Sequence, residues 1–346
     1  MARKLVPIYS DMLYAPKMLT SSAYETKPEL SIVIVQDNIY DLPKPLIFGH
    51  KGNPKFAPEN TLLSFQEAND ANVDGYEADV AVSMDGIPFL IHDVTLRRTS
   101  DVADVFPDRQ YRAAEAFKLI ELKQLNAGKW FLHQNPYGTV HSLSKSKKDK
   151  IMRQKIMSLL DLANLAKLNN KMLIFDLRMP RDWGNPHIQD YIPIIVETVL
   201  KSGIDQSKVM WISGPMNEYV MNVAPGFVQV YGAETNARNI ISRKIKMLIL
   251  EYNTLSERLI LHYKDMYNIS IISYTSSAEW TYSLAWCQGA YAVISDDPKM
   301  HRDLTKPIFA STPHEYHVLW VSTYILCCVI SMLAILRSRK MFDRNR

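Results

Sequence analysis

Short apolar segments alternate with segments of helical periodicity throughout residues 45 to 300, and turn-forming residues separate them. This alternation is typical of βαβ units, in which crossover helices join parallel strands. Because the number of units comes close to eight, the sequence predicts an α/β fold of the TIM (β/α)8 barrel type. The predicted strands are 45–50, 75–82, 88–92, 171–177, 208–213, 227–232, 247–251, 269–275 and 291–295, and the predicted helices lie near 60–72, 158–169, 188–202, 216–223, 256–267 and 278–288.

The barrel domain is assigned to residues 41–310, and residues 1–40 carry no pattern that predicts a structure. Residues 94–157 interrupt the alternation after the second β/α region, and we predict that they form a loop-rich insertion over one mouth of the barrel. The basic run at 145–150, KSKKDK, is expected to be a solvated loop within this insertion. A net charge of +4 is small for 346 residues, so no nucleic-acid partner is predicted, and nothing indicates an oligomeric state.

An uncharged apolar segment, VLWVSTYILCCVISMLAIL, follows the barrel at residues 318–336. As a helix it would span about 28 Å, close to the hydrocarbon core of a bilayer. We predict a transmembrane helix rather than a buried core helix, because a core helix seldom lacks charges over this length. The basic tail at 337–346 would lie in the cytoplasm by the positive-inside rule, which places the barrel in a lumenal or extracellular space.

Translocation of the barrel would need a signal peptide or an earlier span, and residues 1–19 contain neither. We therefore expect either a fragment or isoform of a longer membrane protein, which we favour, or a tail-anchored chain with a cytosolic barrel. The sequon that begins at Asn268 permits a lumenal location. Cys287 and the two cysteines inside the span do not make a disulfide framework that would report the compartment.

Titratable side chains stand where three predicted strands end. PLIFGH ends in His50, PFLIHD ends in His92 and Asp93, and KMLIFDLR contains Asp176 and Arg178. In a parallel barrel, the loops at the carboxyl ends of the strands build the functional site. We therefore expect these side chains to meet at one mouth.

Glu77 and Asp79 are two residues apart on a predicted strand, so both side chains point to the same face. With Asp176 they would provide three hard oxygen ligands, which suit Mg²⁺ or Ca²⁺ rather than zinc. The alternative is a solvated strand mouth in which the carboxylates pair with lysine or arginine. Two histidines that face a bound cation would add a proton acceptor and a proton donor, and such a set suits attack on a phosphodiester.

The segments GHKGNPKFAPENTLLSFQEA (49–68) and GYEADVAVSMDGIPFLIHDVTLRRTS (75–100) closely resemble the signature of the glycerophosphodiester phosphodiesterase family. The similarity continues to about residue 300 through short pieces such as LNAGKWF, FDLR and ISDDP. The apolar segment that follows resembles the last spanning helix of the multipass-membrane branch, in which several membrane helices precede the catalytic domain. Those helices are missing from this sequence, which favours the expectation of a truncated isoform.

The resemblance implies a role for each of the strand-end residues. His50 and His92 match the acid/base histidines of the family, Glu77 and Asp79 match two metal ligands, and Asp176 takes the place of the third, usually a glutamate. The implied chemistry is attack of the substrate's glycerol 2-hydroxyl on phosphorus beside a divalent metal ion. One histidine would remove the hydroxyl proton, and the other would protonate the leaving alkoxide.

Two cations depart from the family pattern, and we predict that both bind the substrate phosphate. Lys51 stands where the family has arginine, so a planar fork becomes a point charge. Arg178 replaces a common lysine and either supplies the missing fork or forms a structural ion pair. Three further residues are candidates for contacting the substrate or orienting a catalytic group. These are Glu59, Asn60 and Tyr274. Asn60 or Thr61 is expected to cap the first helix, and capping is the favoured alternative for Asn60. Tyr274 either walls the glycerol site or packs in the core.

The resemblance therefore implies metal-dependent hydrolysis of glycerophosphodiesters, or of lysophospholipids or glycosylphosphatidylinositol-type lipids, to a glycerol phosphate-type product and an alcohol. The alternative from another class is a pseudoenzyme whose barrel is a membrane-anchored interaction module, and Lys51 favours it. A phospholipase D-like toxin relative on the same barrel would lack the predicted C-terminal anchor.

Overall fold

The computed structural model describes residues 33–34, 42–182, 184–233, 235–308, 310–311 and 313–344. The strands are β1 (Val33–Ile34), β2 (Leu46–His50), β3 (Gly75–Val82), β4 (Pro88–Leu90), β5 (Met172–Leu177), β6 (Val209–Ile212), β7 (Val228–Tyr231), β8 (Met247–Glu251), β9 (Ser270–Ser276), β10 (Ala292–Ser295) and β11 (Ala310–Ser311). The α-helices are α1 (Leu62–Asp70), α2 (Val102–Val105), α3 (Leu119–Leu122), α4 (Lys129–Gln134), α5 (Lys145–Ile151), α6 (Leu159–Leu168), α7 (Tyr191–Ser202), α8 (Asn217–Val223), α9 (Ala237–Ser242), α10 (Glu257–Tyr267), α11 (Glu279–Cys287), α12 (Pro298–Asp303) and α13 (Pro313–Arg344).

Eight parallel strands form a closed barrel, which confirms the predicted TIM-type fold. Their order around the barrel is β2, β3, β5, β6, β7, β8, β9 and β10, and β10 pairs with β2 to close it. The two short strands β1 and β11 pair with each other outside this sheet. The rest of the predicted N-terminal segment 1–40 lies outside the described residues.

The segment 88–92, predicted in the series of barrel strands, is instead the short strand β4, which runs antiparallel to β3 outside the barrel wall. The chain reverses at Gly86, whose φ of +75° is in the left-handed region that glycine adopts readily. The amide of Ile91 then donates to the carbonyl of Asp79 (3.1 Å). This return strand brings His92 back to the level of Asp79, although it is not a parallel strand end.

The inside of the barrel is filled by apolar side chains that alternate along the strands. They are Phe48, Ile174, Met210, Val230, Ile249, Ile272, Ala292 and Ile294. Because alternate residues of a strand share a face, His50 lies on the inner face with Phe48, and Asp176 lies there with Ile174. The intervening residues, such as Ile47 and Tyr76, face outward and pack in the core between strands and helices. Strand alternation therefore places the polar side chains at the mouth, above these apolar side chains, which form an apolar floor beneath the mouth.

The six helices predicted from periodicity are present as α1, α6, α7, α8, α10 and α11, with ends shifted by a few residues. Residues 94–157 contain four short α-helices, α2 to α5, with apolar clusters of their own. The run 145–150 is largely exposed, as predicted, but the prediction that it forms a loop is wrong, because KSKKDK lies in α5. The Ser144 side chain caps α5, Ile151 is buried at its end, and Lys147 pairs with Glu67 of α1 (2.6 Å).

The helix α13 contains the predicted membrane segment. Its residues 318–337 have a mean hydropathy of 2.3 and none of this stretch is buried against the rest of the chain, so the alternative of a buried core helix does not apply. By length and composition this part of α13 can cross a membrane.

Candidate active site

The abrupt end of β2 is a turn that packs on the first helix. Lys51 and Gly52 have φ angles of +52° and +93°, and a Cβ at Gly52 would overlap the backbone of Ser64 in α1. The hydroxyl of Ser64 donates to the carbonyl of Lys51 (2.8 Å), and its carbonyl accepts from the amide of Asn53 (3.0 Å). The turn is therefore held in one conformation, with Lys51 directed to the barrel mouth.

His50 at the end of β2 is paired with Asp296, which follows β10, the neighbouring strand. The distance from His50 Nδ1 to Asp296 Oδ1 is 2.6 Å, and Ser277 donates to the other carboxylate oxygen (2.6 Å). Burial alone would raise the pKa of Asp296, but His50 and Ser277 outweigh it and lower the pKa. Because an ionised carboxylate only accepts, Nδ1 of His50 carries a proton and Nε2 is the free ring atom.

The environment of His50 favours its charged form. Burial alone would lower the pKa of His50, but the Glu77 carboxylate, whose Oε2 is 3.9 Å from Nε2, and the hydrogen bond and charge of Asp296 together raise it above the ordinary value. His50 is thus built to accept a proton readily.

His92 is oriented by a second carboxylate and by an arginine behind it. Nδ1 of His92 is 2.8 Å from Asp93, and Arg98 binds both Asp93 (2.6 Å) and, through two hydrogen bonds of 2.8 and 2.7 Å, Glu59. The hydrogen bonds from His92 and Arg98 overcome the effect of burial and hold the pKa of Asp93 well below its usual range. Glu59 therefore acts on His92 through Arg98 and Asp93.

The three predicted carboxylates lie on two adjacent strands. Asp79 of β3 and Asp176 of β5 are direct cross-strand partners, and Glu77 shares the inner face of β3 with Asp79. Asp79 and Glu77 are only 1% and 6% exposed. The backbone amide of Lys51 donates to Glu77 Oε2 (2.9 Å), which ties the β2 turn to this row.

Asn60 supports Asp79, and the favoured prediction that it caps α1 is wrong. The cap is Thr61, whose side chain accepts from the amide of Ser64. Asn60 has a φ of +56°, whereas the capping position needs the extended backbone that Thr61 has. Its side-chain amide donates to Asp79 Oδ2 instead (2.8 Å).

Two cations partly offset the negative charge of the carboxylates on β3 and β5. Lys51 Nζ lies 3.7 Å from Glu59 and 3.8 Å from Asp79, while Arg178 contacts Asp79 Oδ1 and lies 2.9 Å from Asp176 Oδ2. Burial would raise the pKa of Asp79, but Lys51, Arg178 and His92 lower it.

The charge of Glu77 is compensated least. Burial raises the pKa of Glu77, the carboxylates of Asp79 and Asp176 raise it further, and His50 and Lys51 oppose them only in part. Burial, and then the charge of Asp79, also raise the pKa of Asp176 against the opposing charge of Arg178. These carboxylates are hard oxygen donors, and their mutual repulsion disfavours ionisation. A divalent cation bound between them would offset that repulsion.

As they stand, no three His, Cys, Asp or Glu side chains in the described ranges are arranged to hold a metal ion. The donor type and the raised pKa of Glu77 fit a divalent ion, whereas Arg178 occupies the gap between Asp79 and Asp176.

Tyr274 lies on β9 at the level of the mouth, where Glu251 of β8 is its cross-strand partner. Its ring is partly buried against the apolar filling of the barrel. Burial raises the pKa of Tyr274, and the charges of Glu251 and Asp176 add to this rise. Tyr274 thus stands between the apolar floor and the polar rim, so core packing and substrate contact are both compatible with its position.

The segment 94–157 also reaches this mouth. Thr139 donates to the carbonyl of Lys55 in the loop after β2 (2.5 Å). Burial raises the pKa of Tyr137, and the charges of Asp296 and Glu59 contribute to the rise. Tyr137 therefore lies within the electrostatic reach of the groups that orient the two histidines.

Two orienting residues were missed from sequence. Asp296 lies in the ISDDP segment and Arg98 in the LRRTS segment, and both segments carry the resemblance to the family. The resemblance assigned no role to either residue. Their partners are distant in sequence, at His50 and Glu59.

The fold and the site define a TIM-barrel protein of the phosphodiesterase type. A model of the glycerophosphoryl diester phosphodiesterase family matches residues 50–300, and the chain belongs to this family. It is 38% identical over 288 residues to glycerophosphodiester phosphodiesterase domain-containing protein 5 of Gallus gallus, a match that covers 83% of this chain and 48% of that protein. It is 34% identical over 293 residues to glycerophosphoinositol inositolphosphodiesterase GDPD2 of Homo sapiens, covering 84% and 52%.

The chain thus spans about half the length of these relatives. A solved phosphodiesterase of Oleispira antarctica, in complex with the product sn-glycerol-3-phosphate, has a TM-score of 0.60 at 24% identity and covers 76% of this chain and 97% of its own. A putative glycerophosphoryl diester phosphodiesterase from Silicibacter pomeroyi has a TM-score of 0.61 at 16% identity, covering 75% and 92%. These two likenesses concern the fold.

Proposed function

We propose that this chain hydrolyses glycerophosphodiesters, or lysophospholipids or glycosylphosphatidylinositol-type lipids that contain such a diester, to a glycerol phosphate-type product and an alcohol. The observation that carries the proposal is a pair of histidines at one barrel mouth, each with Nδ1 on a carboxylate. His50 lies beside Glu77, and the amide of Ile91, the residue before His92, donates to the carbonyl of Asp79. Family membership and the named activities of the relatives support it.

In the proposed reaction the free Nε2 of one histidine removes the proton from the substrate's glycerol 2-hydroxyl, whose oxygen attacks phosphorus. The other histidine donates its proton to the alkoxide as the bond from phosphorus to the leaving oxygen breaks. This step leaves a cyclic phosphate on the glycerol. Water then opens the cyclic phosphate, with the acid and base roles of the two histidines exchanged. Lys51 and Arg178 bind the phosphate oxygens and hold phosphorus in line with the hydroxyl.

We infer that Glu77, Asp79 and Asp176 hold a divalent cation, Mg²⁺ or Ca²⁺, in the working enzyme. When bound, such an ion supplies a fixed positive charge for the phosphoryl oxygens. The raised pKa of Glu77 supports this inference, because burial and neighbouring carboxylates leave this group short of positive charge.

Removal of divalent metal is expected to abolish phosphodiester cleavage, because the crowded carboxylates would then face the anionic substrate. The measurement is product release from a panel of glycerophosphodiesters by the purified chain, in excess chelator and after addition of Mg²⁺ or Ca²⁺. Full activity in excess chelator would contradict the metal assignment. A wild type that is inert under all conditions but becomes active as Lys51→Arg would support the pseudoenzyme alternative instead.

We also infer that α13 anchors the chain in a membrane, with the barrel on the lumenal or extracellular side and the tail in the cytoplasm. The length and apolar composition of residues 318–337 and the basic tail support this topology. The cytosolic tail-anchored arrangement is the alternative.

Asn268 is expected to carry a glycan in cells, because it is exposed at the end of α10 and only the lumen offers the modification. Treatment of the full chain with a glycosidase should increase its gel mobility, and the Asn268→Gln variant should show no such shift. A wild-type chain that inserts into membranes but is unchanged by the glycosidase would favour the cytosolic barrel.

A further inference from the structure

Arg178 bridges the two carboxylates that the proposed function assigns to metal. Its Nη2 contacts Asp79 Oδ1 and lies 2.9 Å from Asp176 Oδ2. Its backbone amide donates to the carbonyl of Val80 (2.8 Å), which continues the β3–β5 ladder by one residue. The sheet therefore fixes the backbone from which the side chain of Arg178 reaches between the two strands.

Among the described residues, the bridge uses an oxygen of Asp79 that has no other recorded hydrogen-bond or ion-pair partner. Oδ2 of Asp79 accepts from Asn60 (2.8 Å) and lies 3.8 Å from Lys51 Nζ, whereas Oδ1 contacts Arg178. A divalent ion between Asp79 and Asp176 would need this same Oδ1. The guanidinium and the ion are thus alternative occupants of one position.

The side chain of Arg178 is partly exposed and carries a donor without a partner among the described residues. The side chains of Arg178 and Asp176 are 27% and 48% exposed, whereas Asp79 is 1% exposed, so Arg178 approaches the pair from the solvent side. Among the described residues its Nε has no hydrogen-bond partner. A phosphate oxygen pair would satisfy Nε and one Nη together, in the planar geometry that arginine favours.

We propose that Arg178 is an exchangeable counter-cation: it fills the gap between Asp79 and Asp176 in the metal-free protein, lowers the affinity of the site for a divalent ion, and turns to the substrate phosphate when the ion binds. This inference rests on the proposed metal-dependent function. The metal ion needs Arg178 away from the carboxylates, and the phosphate gains the guanidinium that is released. Each ligand should therefore strengthen the binding of the other.

The test is calorimetric titration of the purified chain with Mg²⁺ and with Ca²⁺, for wild type, Arg178→Gln and Arg178→Lys. Removal of the competing charge should make Arg178→Gln bind at least one of the ions about tenfold more tightly or better. Arg178→Lys keeps the charge without the planar bridge and should lie between the two. Thermal unfolding of the metal-free proteins shows whether each variant is folded, and added ion should raise the midpoint most in Arg178→Gln.

A second titration uses sn-glycerol-3-phosphate as the phosphate probe, with and without saturating metal. Wild type should bind the probe several-fold more tightly when metal is present, and Arg178→Gln should lose most of that gain. Equal or weaker metal binding by folded Arg178→Gln would overturn the exchange while leaving the metal-dependent function intact. Absence of metal binding in all three proteins would overturn both.

Discussion

His50→Gln is expected to lower kcat for phosphodiester cleavage by about 10²- to 10⁴-fold, the range that a positioned acid or base contributes. Glutamine has a similar length and its amide can still donate to Asp296, but it cannot exchange a proton near neutral pH. Because His50 sits at the end of a barrel strand beside Glu77, the substitution removes the proton carrier without opening the apolar filling below it. KM should change less than kcat.

The measurement is steady-state kinetics at saturating metal on a soluble glycerophosphodiester, with thermal unfolding to show that the barrel is intact. His141→Gln is the matched control, since His141 is exposed in the 94–157 segment and should leave kcat unchanged. A normal kcat in His50→Gln would refute the acid/base assignment. An equal fall in both variants would point to a loss of active protein rather than of chemistry.

The barrel was predictable because its evidence is local. Most of the parallel strands are short apolar runs followed by a helical period, and a number of such units close to eight admits few architectures. The segment 88–92 was misassigned because an antiparallel return strand has the same apolar composition as a parallel one. The antiparallel pairing of β4 with Val80, Ala81 and Val82 of β3 distinguishes them, and that pairing depends on the turn at Gly86.

The short helices of residues 94–157 were missed for a different reason. Helices α2 to α5 are four to seven residues long, so none completes enough turns to show a period in sequence.

At the start of α1 the difficulty was one of backbone conformation. Asn60 and Thr61 are both good capping residues, and the left-handed φ of Asn60 decides between them.

The composition of the candidate site was largely predictable, but its connections were not. His50, Glu77, Asp79 and Asp176 face one mouth because strand register and alternation place them there. The pairing of His50 with Asp296 joins residues 246 positions apart and exists only because β10 closes the barrel against β2. Long-range contacts of this kind follow from topology and carry no local sequence signal.

Asp296→Asn is expected to lower kcat by about 10²- to 10⁴-fold although Asp296 is a positioning residue with no proposed contact to substrate. The asparagine amide can donate to an unprotonated Nδ1 of His50, which places the ring proton on Nε2. The Nε2 of neutral His50 would then be a donor where the reaction needs an acceptor. KM should stay within a few-fold of wild type, because the phosphate-binding cations are unchanged.

The pH dependence separates this role from a structural one. Asp296 raises the pKa of His50 through a hydrogen bond and its negative charge, against the lowering effect of burial. Removing that charge lowers the pKa of His50, so the limb of the kcat/KM profile that belongs to His50 should move to lower pH, whether His50 is the acid or the base. The matched control is Asp297→Asn, because Asp297 pairs with Lys55 (2.8 Å) and caps α12, which asparagine also does well. If the kcat/KM profiles of both variants keep the wild-type limb, Asp296 does not set the pKa of His50. A fall in kcat would then be due to displacement of the imidazole alone.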